Sequence, residues 1–201
     1  MAAVSVSSLA CAQWYGGASL GTSHTPLYAA DVPVSGAITA HTYPKNENDT
    51  GYKLQLGYQF SPYFALEGGY VNLGKAHITN DITATFKGSL RGDVRSEGWN
   101  LMAVGILPVT EDFSLLGKMG ALFSSVRSDY TTTGAVFLAP GVASSYSKNE
   151  VNGAYGLGLQ YNLNKSLAVR AEAESFVDLR ASDKSKKRDV SLYSIGLIFK
   201  F

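Results

Sequence analysis

Along several stretches of the chain apolar and polar residues alternate one by one, the period-two mark of a β-strand whose two faces meet different surroundings. Over residues 52–60, Tyr52, Leu54, Leu56, Tyr58 and Phe60 fall on one face and Lys53, Gln55, Gly57 and Gln59 on the other. Residues 151–161 repeat the pattern, with Val151, Gly153, Tyr155, Leu157, Leu159 and Tyr161 set against Asn152, Ala154, Gly156, Gly158 and Gln160. The last stretch sets Ser191, Tyr193, Ile195, Leu197, Phe199 and Phe201 against Leu192, Ser194, Gly196, Ile198 and Lys200. Helical spacing fits none of these. Extended to the whole chain, the pattern predicts eight strands, over about 14–23, 51–60, 64–75, 95–107, 113–127, 150–162, 166–177 and 189–201.

The connections between these strands alternate in length. Ser61-Pro62-Tyr63, residues 108–112 and residues 162–165 are tight; 24–50, 76–94, 128–149 and 178–188 are long and rich in Ser, Thr, Asn, Asp, Gly and Pro. Most strands reach the roughly 9–11 residues that a tilted strand needs to cross a bilayer. Short turns on one side, long loops on the other and an even strand number describe an all-β, eight-stranded antiparallel up-and-down transmembrane β-barrel.

Composition bears on which face lies outside. Charged residues are 16% of the 201, below the roughly 25% of soluble domains, while the 45% apolar content and zero mean hydropathy are ordinary. The polar faces hold mainly Gly, Ser, Ala, Asn and Gln, with a few charges of both signs, Glu67, Lys118, Arg170, Glu172 and Glu174. A water-exposed exterior would be denser in charge, whereas the interior of an eight-stranded barrel has room only for side chains and suits small residues with a few paired charges. Trp14, Tyr52, Phe60, Tyr63, Phe64, Trp99, Phe113, Phe123 and Tyr161 sit near strand ends, where aromatic girdles form.

No apolar run is long enough for a spanning helix, which needs roughly 20 residues; Leu101 to Val109 already contains Gly105 and Pro108. With 17 Lys+Arg against 16 Asp+Glu and no basic run interleaved with aromatics, the chain offers nucleic acid no binding groove. Twelve Tyr, nine Phe and two Trp speak against disorder.

Residues 1–12 read as the end of a secretory signal peptide, Ala2 to Leu9 leading into Ala10-Cys11-Ala12 before Gln13. The first cation is Lys45, so the segment matches the tail of such a leader and not its charged start. Cleavage after Ala12 removes Cys11, the one cysteine, and leaves residues 13–201 as the barrel without a disulfide or a thiol.

The chain resembles the eight-stranded transmembrane domain of OmpA-type outer membrane proteins over essentially all of Gln13 to Phe201. The resemblance rests on an ordered set of segments. They are Trp14-Tyr15-Gly16-Gly17, Leu66-Glu67-Gly68-Gly69-Tyr70 with Leu73-Gly74, Gly98-Trp99-Asn100-Leu101 before Pro108-Val109-Thr110, residues 155–161, and Val169-Arg170-Ala171-Glu172. The close, Leu197-Ile198-Phe199-Lys200-Phe201, is similar to the terminal signature recognised during barrel assembly, with Tyr193, Leu197, Phe199 and Phe201 as its members here. The resemblance implies an interior ion-pair network, for which Glu67, Lys118, Arg170 and Glu172 match by position. Unpaired charges in so tight an interior are costly, so the four should meet as pairs. Val104 stands where the best-known members place another lysine, so the resemblance does not extend to a charge-swapping gate.

His24, His41 and His77 raise the question of an enzyme, because some barrels of this size modify lipid A. His77-Ile78-Thr79 near Asp81 is the nearest approach to a catalytic grouping, and it lacks the serine and oriented base of a hydrolase. No metal-ligand spacing recurs. The reading is a non-enzyme without cofactor or metal. Residues 183–188 form the one dense charge run, and Lys184, Lys186, Lys187 and Arg188 are candidate contacts for lipopolysaccharide phosphates. The pairs Gly16-Gly17 and Gly68-Gly69 precede no helix and are read as sites of close strand packing.

The sequence thus predicts a monomeric barrel in a Gram-negative outer membrane, with a structural role and exposed loops. Membrane lipids, lipopolysaccharide and the barrel assembly machinery are its expected partners. A narrow pore, a loop-based adhesin and a lipid A-modifying enzyme are the alternatives.

Overall fold

Residues 13–26, 45–83, 87–134, 144–179 and 188–201 are described by a computed structural model of the chain. Eight long strands follow one another: β1 (Gln13–His24), β2 (Asn48–Ser61), β3 (Phe64–Thr83), β4 (Lys87–Pro108), β5 (Phe113–Gly134), β6 (Ser145–Asn162), β7 (Leu167–Leu179) and β8 (Arg188–Lys200). A two-residue ladder, Lys45–Asn46, adds to β3 opposite Ile78 and His77. Every long strand runs antiparallel to its chain neighbours, and β1 pairs with β8 from Tyr15↔Lys200 to His24↔Ser191. That last ladder closes the sheet into a barrel, so no edge remains along its wall.

The tight turns are held by short polar side chains. Ser61 Oγ accepts from the Tyr63 and Phe64 amides, Thr110 Oγ1 from the Phe113 amide at 3.0 Å, and Asn164 Oδ1 from the Ser166 and Leu167 amides at 2.9 Å each. These side chains supply the partners that a reversing backbone loses. A bulge between Asn72 and Lys75 places Gly74 at φ +75°, where a Cβ would lie 2.7 Å from Asp49 Oδ2. Glycine meets both demands there.

Strand number, order and alternation agree with the expectation, but the strands are longer. The segment 76–94, expected as a loop, is mostly ladder, continuing from Lys75↔Arg95 to Thr83↔Lys87. Likewise β5 runs on to Gly134 and β6 begins at Ser145, inside the expected loop 128–149. Backbone pairing persists past the outer aromatic residues, where the hydropathy pattern that marked the strands is no longer continuous. Loop 24–50 is likewise shortened at its end by β2, which starts at Asn48.

Candidate functional site

Outward positions are apolar. Leu54, Leu56, Leu101, Met119, Leu157, Ile195 and Leu197 point away from the barrel, Leu157 with 71% of its surface exposed. Aromatic side chains bracket this band. Trp14, Phe60, Tyr63, Phe64, Tyr161 and the half-exposed Phe113 mark the end with the short turns. Tyr52, Trp99 and Phe123 mark the other end, where Tyr52, Tyr70 and Trp99 form a chain of ring contacts at 6.1 and 5.6 Å. The outward set Tyr52 to Phe60, at about 3.3 Å per residue and a tilt near 40°, spans roughly 20 Å, close to the apolar band of outer-membrane barrels.

Inward positions hold the polar groups. Lys53, Lys118 and Arg170 meet Glu67, Glu172 and Glu174 in one buried cluster of three cations and three carboxylates. Lys53 Nζ donates to Glu172 Oε2 and Glu174 Oε2, both at 2.5 Å. Lys118 bridges Glu67 and Glu172, and Arg170 pairs with Glu67. Tyr15 donates its hydroxyl to Glu67 Oε1 at 2.7 Å and presents its ring to the Arg170 guanidinium. Gln160 Oε1 accepts from Arg170 Nε at 3.0 Å and Nη2 at 2.8 Å. The fork of Arg170 is thereby satisfied on both sides, which a buried guanidinium requires.

The structure therefore brings Glu67, Lys118, Arg170 and Glu172 together. Lys53 and Glu174 complete the cluster. Both lie on the inward parity of their strands, Lys53 beside Gln55 and Glu174 two residues beyond Glu172, and that parity is the signal that finds them. Val104 pairs in register with Lys118, yet its side chain faces an apolar layer.

Apolar packing inside the barrel departs from the expected polar filling. Below the charges, toward the short turns, Tyr15, Ala65, Val104, Leu116, Ala168 and Ile198 pack together. Above them, Val71, Leu73, Met102, Leu122, Phe176 and Leu192 belong to a second, larger layer. Only lipid contact demands apolar residues of a barrel, but a filled lumen also gains from burying them. The charge cluster thus lies between two apolar layers.

The Gly pairs divide by parity. A Cβ on Gly17 would lie 2.8 Å from the Leu197 carbonyl and one on Gly69 2.3 Å from the Leu54 carbonyl, whereas Gly16 and Gly68 meet nothing nearer than 3.8 Å. Close strand packing thus demands one glycine of each pair.

Arg188 turns inward, 4% exposed, and its Nη1 donates to the Pro26 carbonyl at 3.3 Å, which removes it from the outer surface where a lipopolysaccharide phosphate would lie. Lys184, Lys186 and Lys187 lie outside the described residues, as do His41 and residues 1–12. His24 shares a 2.9 Å hydrogen bond between its Nδ1 and Asn48 Oδ1, and of His77 only the backbone is described. Among the described residues, no group of three His, Cys, Asp or Glu is placed to hold a metal ion. Tyr193, Leu197 and Phe199 alternate along the outward face of β8, and the Phe201 amide donates to the Trp14 carbonyl.

A closed barrel with an apolar, aromatic-bracketed exterior and a charged, plugged interior is inside-out relative to a soluble protein, and it defines a membrane-spanning β-barrel. The chain belongs to the OmpA-like transmembrane domain family, whose model matches residues 10–201. An uncharacterised protein of Coxiella burnetii is 24% identical over 180 residues, covering 81% of this chain and 72% of that protein. In fold the chain is similar to the outer membrane protein OprG of Pseudomonas aeruginosa, at TM-score 0.54 and 19% identity, over 94% of this chain and 96% of that one. It is also similar to the Yersinia pestis attachment invasion locus protein Ail, solved with the heparin analogue sucrose octasulfate, at TM-score 0.50 and 16% identity, over 94% and 99%. The chain is an outer membrane β-barrel of this family, and its outward face contacts membrane lipid.

Proposed function

We propose that the chain is a sealed, monomeric structural barrel of a Gram-negative outer membrane that stabilises the bilayer around it and presents its long hairpins outside. The interior carries this reading, since a cluster with all three cations paired to carboxylates sits between two apolar layers. An ion entering such a lumen would have to shed its water against apolar side chains and then displace existing ion pairs, both costly steps. Reconstituted into a planar bilayer, the chain is expected to give no conductance steps above the lipid baseline; regular ion-sized steps would overturn the sealed reading.

A second reading, a loop-based adhesin, is favoured by one observation. The β3–β4 hairpin and the β4–β5 ladder beside it continue well past the outer aromatic residues, to Thr83↔Lys87 and Gly88↔Gly134, giving a raised paired wall on one side of the barrel. The fold neighbour Ail, an attachment invasion protein solved with a heparin analogue, has a comparable barrel. Deleting residues 128–149 is then expected to reduce binding to host-cell surfaces while the barrel still folds.

In this reading residues 1–12 are the end of an export leader, and Lys184, Lys186 and Lys187 contact lipopolysaccharide from the last loop. The outward row Tyr193, Leu197, Phe199 and Phe201 is what the assembly machinery recognises. Removing Phe201 is expected to lower the amount of barrel assembled in cells while leaving detergent refolding of the purified chain unchanged. Equal assembly of the shortened chain would remove that role.

A further inference from the structure

Beyond the outer aromatic residues, the outward positions of neighbouring strands fall into cross-strand rows. The first is Tyr70↔Trp99↔Phe123↔Val151 and the second Asn72↔Glu97↔Ser125↔Asn149. The third row is Lys75↔Arg95↔Arg127↔Ser147, three cations directly opposite one another on β3, β4 and β5, all exposed. Directly opposed residues have Cβ atoms only about 5 Å apart, and like charges there are destabilising. A sheet bears such a row at a cost unless an anion covers it.

The chain's own described carboxylates do not supply that anion. Glu97 accepts from the Tyr70 hydroxyl at 2.8 Å and Asn72 Nδ2 at 3.2 Å. Asp129, one row further out, accepts from Ser145 Oγ at 2.8 Å, and Asp49 accepts from the Lys75 backbone amide at 2.6 Å. Asp93, opposite Asp129, takes part in an interaction of its own. Among the described residues none of the three cations forms an ion pair.

Placement identifies the missing partner. A shallow groove lined by Tyr70, Trp99, Phe123 and Val151, with the carboxylates Glu97 and Glu150 also in its wall, opens outward just below the cations. Aromatic side chains mark the depth where acyl chains give way to head groups. From Trp99 to Arg95 is about 13 Å along the strand, the reach from that boundary into a phosphorylated sugar head group. Three adjacent strands hold the cations within about 10 Å of one another. We propose that Lys75, Arg95 and Arg127 form a binding site for the phosphate groups of lipopolysaccharide in the outer leaflet, with the head-group sugar resting over the Trp99 groove. The site is separate from the 183–188 run. It rests on the reading of the chain as an outer-membrane barrel.

The test uses the full chain refolded in zwitterionic detergent, titrated with lipopolysaccharide, with the same lipopolysaccharide after dephosphorylation, and with a sulfated heparin fragment. Each surface cation near a phosphate layer contributes about fivefold in affinity, so the K75Q/R95Q/R127Q triple variant should bind lipopolysaccharide roughly a hundredfold more weakly. The dephosphorylated form should bind the native chain about as weakly as intact lipopolysaccharide binds the variant. If the triple variant fails to fold, R95Q alone, at the centre of the row, should show the fivefold loss. Unchanged lipopolysaccharide affinity in the folded variant, or equal binding of the dephosphorylated form, would overturn the proposal. Loss of heparin binding alone would overturn it in favour of a soluble sulfated glycan. A native chain that gives no heat-modifiable band in detergent would instead bring down the barrel reading on which the site rests.

Discussion

Replacing Glu67 with alanine lowers the unfolding free energy of the barrel by about 3–5 kcal/mol, the cost of leaving buried charges without their partner. Glu67 accepts from the Tyr15 hydroxyl and pairs with both Arg170 and Lys118. Its removal leaves three cations facing two carboxylates in a volume closed above and below by apolar side chains. The neutral amide of the E67Q variant keeps a hydrogen-bond acceptor for Tyr15 but not the charge, so its stability should fall between those of the alanine variant and the native chain. The E67L/K118L double variant removes one charge of each sign and should recover most of the loss, since apolar replacement of a whole buried pair is often neutral. Urea unfolding in lipid vesicles measures all three, and an E67A loss under about 1 kcal/mol would show that the cluster is not dry.

A single methyl group at Gly120 should be nearly as damaging. A Cβ there would lie 2.0 Å from the Leu101 carbonyl oxygen and 2.8 Å from the Met102 Cα, both on the neighbouring strand β4. No side-chain rotation relieves a clash with backbone, so β4 and β5 must separate where their ladder is continuous. The expected cost of Gly120→Ala is about 3 kcal/mol or more, the upper end of overpacking effects. Gly117, three residues earlier on the same strand, has nothing within 4 Å of its Cβ position. Gly117→Ala on this lipid-facing position should refold with native yield, and the contrast between the two variants, read from heat-modifiable mobility, removes any general effect of losing a glycine. Equal refolding of both would contradict the ladder geometry.

How much of this was legible in the chain depends on whether the two faces of a strand met different media. Tyr52 to Phe60 lies between lipid and a packed lumen, so its alternation is complete and gives strand, register and orientation together. Above the Tyr70–Trp99 contact the alternation of hydropathy breaks off, and nothing in residues 76–94 separates a paired hairpin from a loop. The backbone ladder nevertheless runs through this segment to Thr83↔Lys87. The charge cluster was partly legible, because inward parity selects charges on known strands. Lys53 lay in plain view on the inward face, yet nothing local said that β2 would pass opposite β7 to meet Glu172 and Glu174. The cationic row was not legible at all, since Lys75, Arg95 and Arg127 are far apart in sequence and become neighbours only through register across a bulge.

The inside-out arrangement is tested most directly by the two tryptophans. Trp14 and Trp99 point outward near opposite ends of the apolar band, 53% and 65% exposed. Single-tryptophan variants, W99F retaining Trp14 and W14F retaining Trp99, are refolded into vesicles whose lipids carry bromine at defined depths along the acyl chain. Both tryptophans should be quenched, most strongly by bromine near the head-group end and weakly at the bilayer centre, with little quenching by aqueous iodide. Quenching by iodide alone, with bromolipids silent at every depth, would mean that the apolar face does not meet lipid, and would contradict the barrel's placement in the membrane.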